Sequence, residues 1–401
     1  MNRNLVLLWI GQFISQLGDA LLSSVLVFFV LSLSPAGTGG TRSGLVQLAA
    51  TLPFLLFSPL SGLLADRLDR RRLMLASDLA RAAVLFAVPL LWHAGLLNWA
   101  VLAGAAFLVS TFSTAFAPAR DALLPDLAAG ESLVRVNSLL QTSVQFAMVA
   151  GMLVAAAVLG VAGGTEHTDQ RTMALLIGAD GAALLGSFAC VWLIRPPPTV
   201  RPPSGKRASA SLAIVLRSPL LRVLLILTAI DNFFIMGPAI VGAGLLVKNT
   251  FGLQAKHLAV FEACLAAGWF AGSMALGGIA ERLPKGRTIL VGMFLDGVTY
   301  IPFFWIRSFP LLCATVFVHG LSIPLITVPR TVLVQERVAP EMRGLAFSMV
   351  QLTVVGFTAL SAAVTGFLGD RIPAPTLFLG AGLGAMVGLA GVLSRELRQA
   401  R

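Results

Sequence analysis

Apolar residues run along this chain in long blocks, and most charged residues fall in the gaps between them. The blocks reach about 20 residues or more, the length an α-helix needs to cross a hydrocarbon core of roughly 30 Å. None alternates polar with apolar positions as the half-length strands of a membrane β-barrel do. Twelve spans are predicted, at residues 5–33, 43–65, 72–93, 97–118, 135–163, 172–194, 220–247, 256–280, 287–306, 309–330, 343–369 and 374–394. The longest interruption runs from Pro196 to Pro219. It opens with Pro196, Pro197, Pro198, Pro202 and Pro203, which lack backbone donors and stop a helix, and it continues basic and Ser-rich. The expected domains are residues 1–195 with six spans, a linker at 196–219, and residues 220–401 with six more.

Another interruption is short and dense. Gly62 to Arg72 reads G-L-L-A-D-R-L-D-R-R-R, with four arginines and two aspartates inside seven residues. It predicts a charged hairpin between spans two and three. Gly277 to Arg287, G-G-I-A-E-R-L-P-K-G-R, is a weaker copy. Gly62, Ala65, Arg67, Leu68 and Arg72 recur as Gly277, Ala280, Arg282, Leu283 and Arg287, while Asp66 becomes Glu281 and Arg70 becomes Lys285. Asp19 in span one likewise matches Asp231 in span seven. The stretch after span four, from Pro118 and Arg120 to Glu131 and Ser138, reads as a loop and matches Pro329 and Arg330 to Glu341 and Ser348. Matches displaced by 210 to 215 residues predict two related halves.

Composition agrees with the pattern. The chain is 57% hydrophobic and 12% charged, where a soluble domain carries about a quarter charged residues, so an all-α integral membrane protein is expected. The net charge of +11 sits in the short loops. With the N-terminus in the cytoplasm, 22 Lys and Arg flank the spans on that side and six on the other, as the positive-inside rule expects. Both termini are thus expected in the cytoplasm, and nucleic acid is not an expected partner. The first block holds Asp19 and has no short apolar core followed by a cleavage site, so it reads as a retained span rather than a signal peptide. Cys190, Cys264 and Cys313 lie inside apolar blocks and read as small packing residues. Gly268 and Gly272 make a GxxxG pair that suits close helix packing. G-x-x-x-x-G-K-[ST], H-E-x-x-H, C-x-x-C and G-x-S-x-G are absent, so no ATP-driven pump, enzyme, metal site or cofactor is expected.

The hairpin resembles the G-x-L-a-D-R-x-G-R-[R/K] signature between the second and third helices of the major facilitator superfamily. Asp69 stands where that signature has Gly. Within the superfamily, W-I-G-Q-F-I-S-Q-L-G-D-A (Trp9 to Ala20), F-A-P-A-R-D-A-L-L-P-D-L (Phe116 to Leu127) and V-Q-E-R-V-A-P-E-M-R-G (Val334 to Gly344) resemble the branch holding enterobactin and macrolide exporters. Similar stretches occur in bacterial lysophospholipid transporters. The resemblance covers essentially the whole chain. It implies twelve transmembrane helices in two pseudo-symmetric six-helix bundles, a central cavity, alternating access and a bacterial-type cytoplasmic membrane. Drug antiporters often carry a G-P pair in helix five, where this chain has Gly151-Met152.

The resemblance also casts the hairpin as a conformational gate, made by Gly62, Asp66, Arg67, Arg70 and Arg72 with Glu281, Arg282 and Arg287 of the second copy. Asp66 is expected to face the start of span eleven near Gly344, where unsatisfied N–H groups favour a carboxylate by about 0.3–1 kcal/mol. The arginines are expected to pair with acidic groups on neighbouring helices in one conformation only, with Arg71 a solvated anchor.

Ionisable groups inside spans are rarer, because a carboxylate at the bilayer centre costs roughly 2.5–3.5 kcal/mol. Gln12, Gln16, Asp19 and Ser23 share one helical face, which cannot meet lipid cheaply and is expected to face the cavity. Removal from water disfavours the charged form of a carboxylate, which suits reversible protonation. Asp231, beside Asn232, is the counterpart of Asp19 in the second half. Glu262 and Asp296 are further candidates, and Asp180 is ranked below them because span six is often peripheral in this fold. Asp78 and Arg81, three apart, are expected to neutralise one another. Gln141 and Gln145 share a stripe with Met148 and Met152, and Gln47 leads one with Thr51 and Phe54; such side chains adapt to varied apolar ligands. His319 is expected to be hydrogen-bonded.

The expectation is a secondary active transporter, acting as a monomer in the bilayer, that exports amphipathic or hydrophobic small molecules of drug or siderophore type by proton antiport. The alternative is a lysophospholipid flippase without proton coupling.

Overall fold

The computed structural model describes residues 2–127, 133–162, 166–195, 218–277, 283–338, 343–394 and 396–397. The linker at 196–217, Glu281 and Arg282 lie outside these residues. So do the side chains of Gly62, Asp66, Arg67, Gln141 and Gly344. Among the described residues the fold is all-α. The helices are α1 (Arg3–Ser32), α2 (Gly39–Arg67), α3 (Arg70–His93), α4 (Trp99–Leu127), α5 (Leu133–Ala162) and α6 (Glu166–Leu193). They continue with α7 (Pro219–Thr250), α8 (Ala255–Gly277), α9 (Lys285–Tyr300), α10 (Phe309–Arg337), α11 (Arg343–Gly369) and α12 (Ala374–Ala385, prolonged as a 3₁₀ helix over Met386–Leu393). Ten of these twelve are long and apolar enough to cross a membrane.

Two boundaries differ from the hydrophobic pattern in the same way. The stretch from Pro118 to Leu127 is helix, not loop, and α10 likewise runs to Arg337 rather than 330. A helix satisfies its own backbone whatever its side chains touch, so it need not stop where the apolar block stops. Arg120 and Arg330 therefore project from helices. Pro219, placed in the linker by composition, is the first residue of α7; Ser218 caps it, its hydroxyl 3.4 Å from the Leu221 N–H. Asp69, the departure from the family signature, has an equally local reason. It caps α3, its carboxylate accepting the Arg72 N–H at 2.8 Å.

The chain divides into two units, Met1–Gly205 with Gln254–Ala263, and Lys206–Leu253 with Cys264–Arg401. Each has an apolar core at the end of its bundle that carries the charged hairpin. In the first unit Leu5, Leu8, Met74, Leu123, Leu124 and Val191 pack together. In the second Leu221, Leu224, Ile289, Leu333, Val334 and Leu397 do so. Met74, Leu123 and Leu124 correspond to Ile289, Leu333 and Val334 at the displacement seen in the sequence, so the duplication extends to the core.

α7 is interrupted where Pro238 has no N–H to give. Wider π-type turns run over Asn232–Met236 and Pro238–Gly242, and the Phe233 carbonyl, five residues before Pro238, loses its backbone donor. Ser361 of α11 repairs the break: its hydroxyl donates to that carbonyl and accepts the Gly237 N–H at 2.7 Å. The α8–α10 pair is closer still. A Cβ on Gly268 would lie 2.1 Å from the Phe317 carbonyl oxygen, and one on Gly320 would lie 2.3 Å from that of Leu265. Gly320→Val is expected to separate these backbones and to abolish monodisperse protein in detergent size-exclusion chromatography. An unchanged elution profile would count against this packing.

Candidate functional site

In the first unit the charges converge on Arg81. Its guanidinium pairs with Asp78 one turn away on α3, and Asp78 is fully buried. It also lies 5.2 Å from the centre of the Phe116 ring, a cation–π contact from α4. Asp180 of α6 and Asp19 of α1 both lie within the electrostatic reach of Arg81. Asp180 is sealed by close packing, since a Cβ on Gly18 would sit 2.3 Å from its Oδ1. Neither Asp180 oxygen has a hydrogen-bond partner among the described residues. Gln16 approaches Asp19 at 3.4 Å, and Gln12 accepts a 2.8 Å hydrogen bond from Arg120 of α4. Glu262, in the part of α8 that belongs to this unit, lies against Ser24 of α1. Beyond Asp19 an apolar cavity of about 70 Å³ is lined by Leu22, Leu26, Leu85, Leu102 and Ile177.

The second unit builds a related but different cluster. The carboxyls of Asp231 on α7 and Asp296 on α9 meet. Asp296 accepts a 2.7 Å hydrogen bond from Ser322 of α10 and lies 3.5 Å from Nδ1 of His319. That nitrogen is also 2.9 Å from the Thr299 hydroxyl, and the Tyr300 ring covers the imidazole at 4.4 Å between centroids. Asn232 donates to the Thr228 carbonyl at 2.8 Å and accepts from Thr358 of α11 at 3.3 Å. Arg330 reaches the Thr228 hydroxyl at 3.1 Å. Arg120 and Arg330 thus play matching parts, each tying the fourth helix of its half to the first.

The hairpins match too. Arg70 bridges to Asp126 at 3.0 Å and to the Ala122 carbonyl at 2.8 Å, and in the second copy Lys285 pairs with Glu336 at 3.2 Å. Each cation holds the extended end of the fourth helix of its own unit, α4 or α10. A cavity of about 340 Å³ opens beside Lys285 and Glu336, bordered by Leu276, Thr288 and Val328. Arg71 is not a solvated anchor: it donates to the Val191 and Trp192 carbonyls and caps the end of α6. Arg72 and Arg287 are exposed. Gly62, Asp66, Arg67, Glu281 and Arg282 fall outside the described side chains, as does the contact expected between Asp66 and the start of α11.

The helical stripe containing Asp19 and the pairing of Asp78 with Arg81 could be read from spacing. Asp180, on a span expected to be peripheral, is fully buried, because α6 packs across Gly18 onto α1 and nothing in the sequence states that contact. Arg120 and Arg330 were read only as loop cations; their matched displacement was the signal that they share a role. Gln47 and Gln145 are half-buried on α2 and α5 and join neither cluster, and the Gln141 side chain is outside the described residues. Among the described residues no three of His, Cys, Asp and Glu gather closely enough to ligate a metal ion.

This architecture has relatives. The chain is 24% identical over 389 residues to macrolide efflux protein A of Streptococcus pyogenes, covering 93% of this chain and 91% of that one. It is 28% identical over 362 residues to the multidrug efflux pump Tap of Mycobacterium bovis, covering 88% and 82% respectively. A solved D-xylose–proton symporter superposes with a TM-score of 0.75 at 10% identity, over 97% of this chain and 96% of that one, a likeness of fold. The sequence model of the Major Facilitator Superfamily matches residues 8–356. With twelve helices, a duplicated core and a duplicated charged hairpin already in place, this chain belongs to the Major Facilitator Superfamily: it is a multi-pass membrane transporter, not an enzyme.

Proposed function

We propose that this transporter exports amphipathic or hydrophobic small molecules in exchange for protons, by alternating access. The observation that carries the reading is the placement of carboxyl groups inside both units with oxygens that have no hydrogen-bond partner among the described residues: both oxygens of Asp180, Oδ1 of Asp231 and Oε2 of Glu262. A spanning helix keeps such groups at a cost of several kcal/mol, and a group that gains and releases a proton in turn gives that cost a purpose. The names of the efflux relatives support the substrate class. Asp19, Asp231 and the Asp296 carboxyl that Asp231 meets are the lead proton carriers in this reading, with Glu262 and the glutamines Gln12, Gln16, Gln47, Gln141 and Gln145 on the substrate path beside Asn232. The hairpin groups Gly62, Asp66, Arg67, Arg70 and Arg72, with Glu281, Arg282 and Arg287, form the gate. The protein acts as a monomer in a bacterial cytoplasmic membrane, with both termini inside.

Purified protein in liposomes tests this with a labelled macrolide and an imposed pH difference. Macrolide flux is expected to follow the proton gradient, and Asp19→Asn to lower it about tenfold or more at unchanged protein level. Movement of lysophospholipid that ignores the gradient would establish the flippase instead. Gradient-driven flux that survives Asp19→Asn unaltered would remove Asp19 from the proton path.

A further inference from the structure

The close approach of α8 and α10 has a register that extends past its glycines. Gly268 meets Phe317, and Gly272 meets Leu321, whose carbonyl oxygen would lie 2.7 Å from an added Cβ. Both pairs are displaced by 49 residues in sequence, and both step four residues along parallel-running stripes. One turn earlier the same displacement pairs Cys264 with Cys313. The two thiols are close neighbours. Backbones that touch one turn away bring such a pair together, and a disulfide needs its Cβ atoms about 3.5–4.5 Å apart. Neither cysteine is in a disulfide in this structure, and each is partly exposed.

We propose that Cys264 and Cys313 are a redox-closable dithiol, which a hydroperoxide converts to a disulfide stapling α8 to α10. One sulfur attacks a peroxide oxygen. The O–O bond breaks, giving a sulfenic acid and a water (or an alcohol from an organic peroxide). The second thiol then attacks the sulfenic sulfur; its S–O bond breaks, the S–S bond forms, and a second water leaves with the remaining thiol proton. Two thiols are oxidised by two electrons and one peroxide is reduced. In the reduced state the close approach of α8 to α10 at Gly268, Gly272 and Gly320 sets their register. In the oxidised state it is covalent, at the end of the pair away from the hairpin. Cys190 sits on α6 in the other unit, where its Cβ packs 3.0 Å from the position of a Cβ on Gly11, and serves as an internal control.

The test uses the full-length protein in detergent, treated with dilute hydrogen peroxide, then alkylated and digested without reductant for mass spectrometry. The expected product is one cross-linked peptide pair containing Cys264 and Cys313, lighter by two hydrogens, lost on adding dithiothreitol, with Cys190 alkylated. Oxidation is also expected to raise the unfolding temperature of the wild type, a rise that Cys313→Ser abolishes. Separate alkylation of Cys264 and Cys313 after peroxide would overturn the proposal. So would oxidation of each to a sulfinic acid without a cross-link, or a cross-link that engages Cys190.

Discussion

Arg81→Met is expected to cause the largest loss of stability of any single substitution in the first unit. Asp78 is fully buried, and the Arg81 guanidinium pairs with it directly. Removing the cation leaves a carboxyl among α1, α3 and α6 with Asp19 and Asp180 nearby and takes away the positive charge that balances them. Breaking one side of a buried ion pair costs about 3–5 kcal/mol, a large part of a total stability of about 5–15 kcal/mol. Methionine fills a similar volume, so the loss reports charge rather than packing. The double substitution Asp78→Asn with Arg81→Met removes both charges and is expected to recover much of the loss. Thermal unfolding in detergent measures both. A single variant that melts with the wild type would mean that Asp78 finds another partner.

Asp296→Asn is expected to have the largest effect on transport. The amide keeps an oxygen to accept the Ser322 hydroxyl, whose hydrogen bond is 2.7 Å long, so the contact between α9 and α10 survives. What it removes is a carboxyl that meets Asp231 and stands 3.5 Å from His319. If this pair carries protons, gradient-driven export should fall by about 10²-fold or more, the scale on which a positioned proton-transfer group acts. Exchange of labelled for unlabelled substrate needs no net proton movement and should persist. Loss of both activities would assign Asp296 to folding or substrate binding, and retention of both would leave it a packing group. Asp231→Asn is expected to behave in the same way.

These expectations draw unequally on sequence and structure. The duplication could be seen in the hairpin copies, and it extends through the core to the ion pairs of Arg70 with Asp126 and Lys285 with Glu336. Those acidic partners could not be anticipated, because the apolar blocks end before them and the helices do not. Asp19, Asp231 and Asp296 were singled out because an acid inside a span is conspicuous by itself. That Asp231 meets Asp296, and that Asp180 stands with Asp19 beside Arg81, had no counterpart in any spacing.

By itself the sequence determined the number of helices, the repeated hairpin motif and the family. Each of these follows from local quantities: the length of an apolar run against the thickness of a bilayer, and a motif and its copy. Only the tertiary structure decided where α4 and α10 end, that Arg71 closes α6, that Cys264 and Cys313 are neighbours, and which buried acids share a space. A helical sequence states the angle at which each side chain leaves its own helix. The helix it meets is set by packing between segments far apart in the chain, where a glycine such as Gly18 or Gly268 lets two backbones touch.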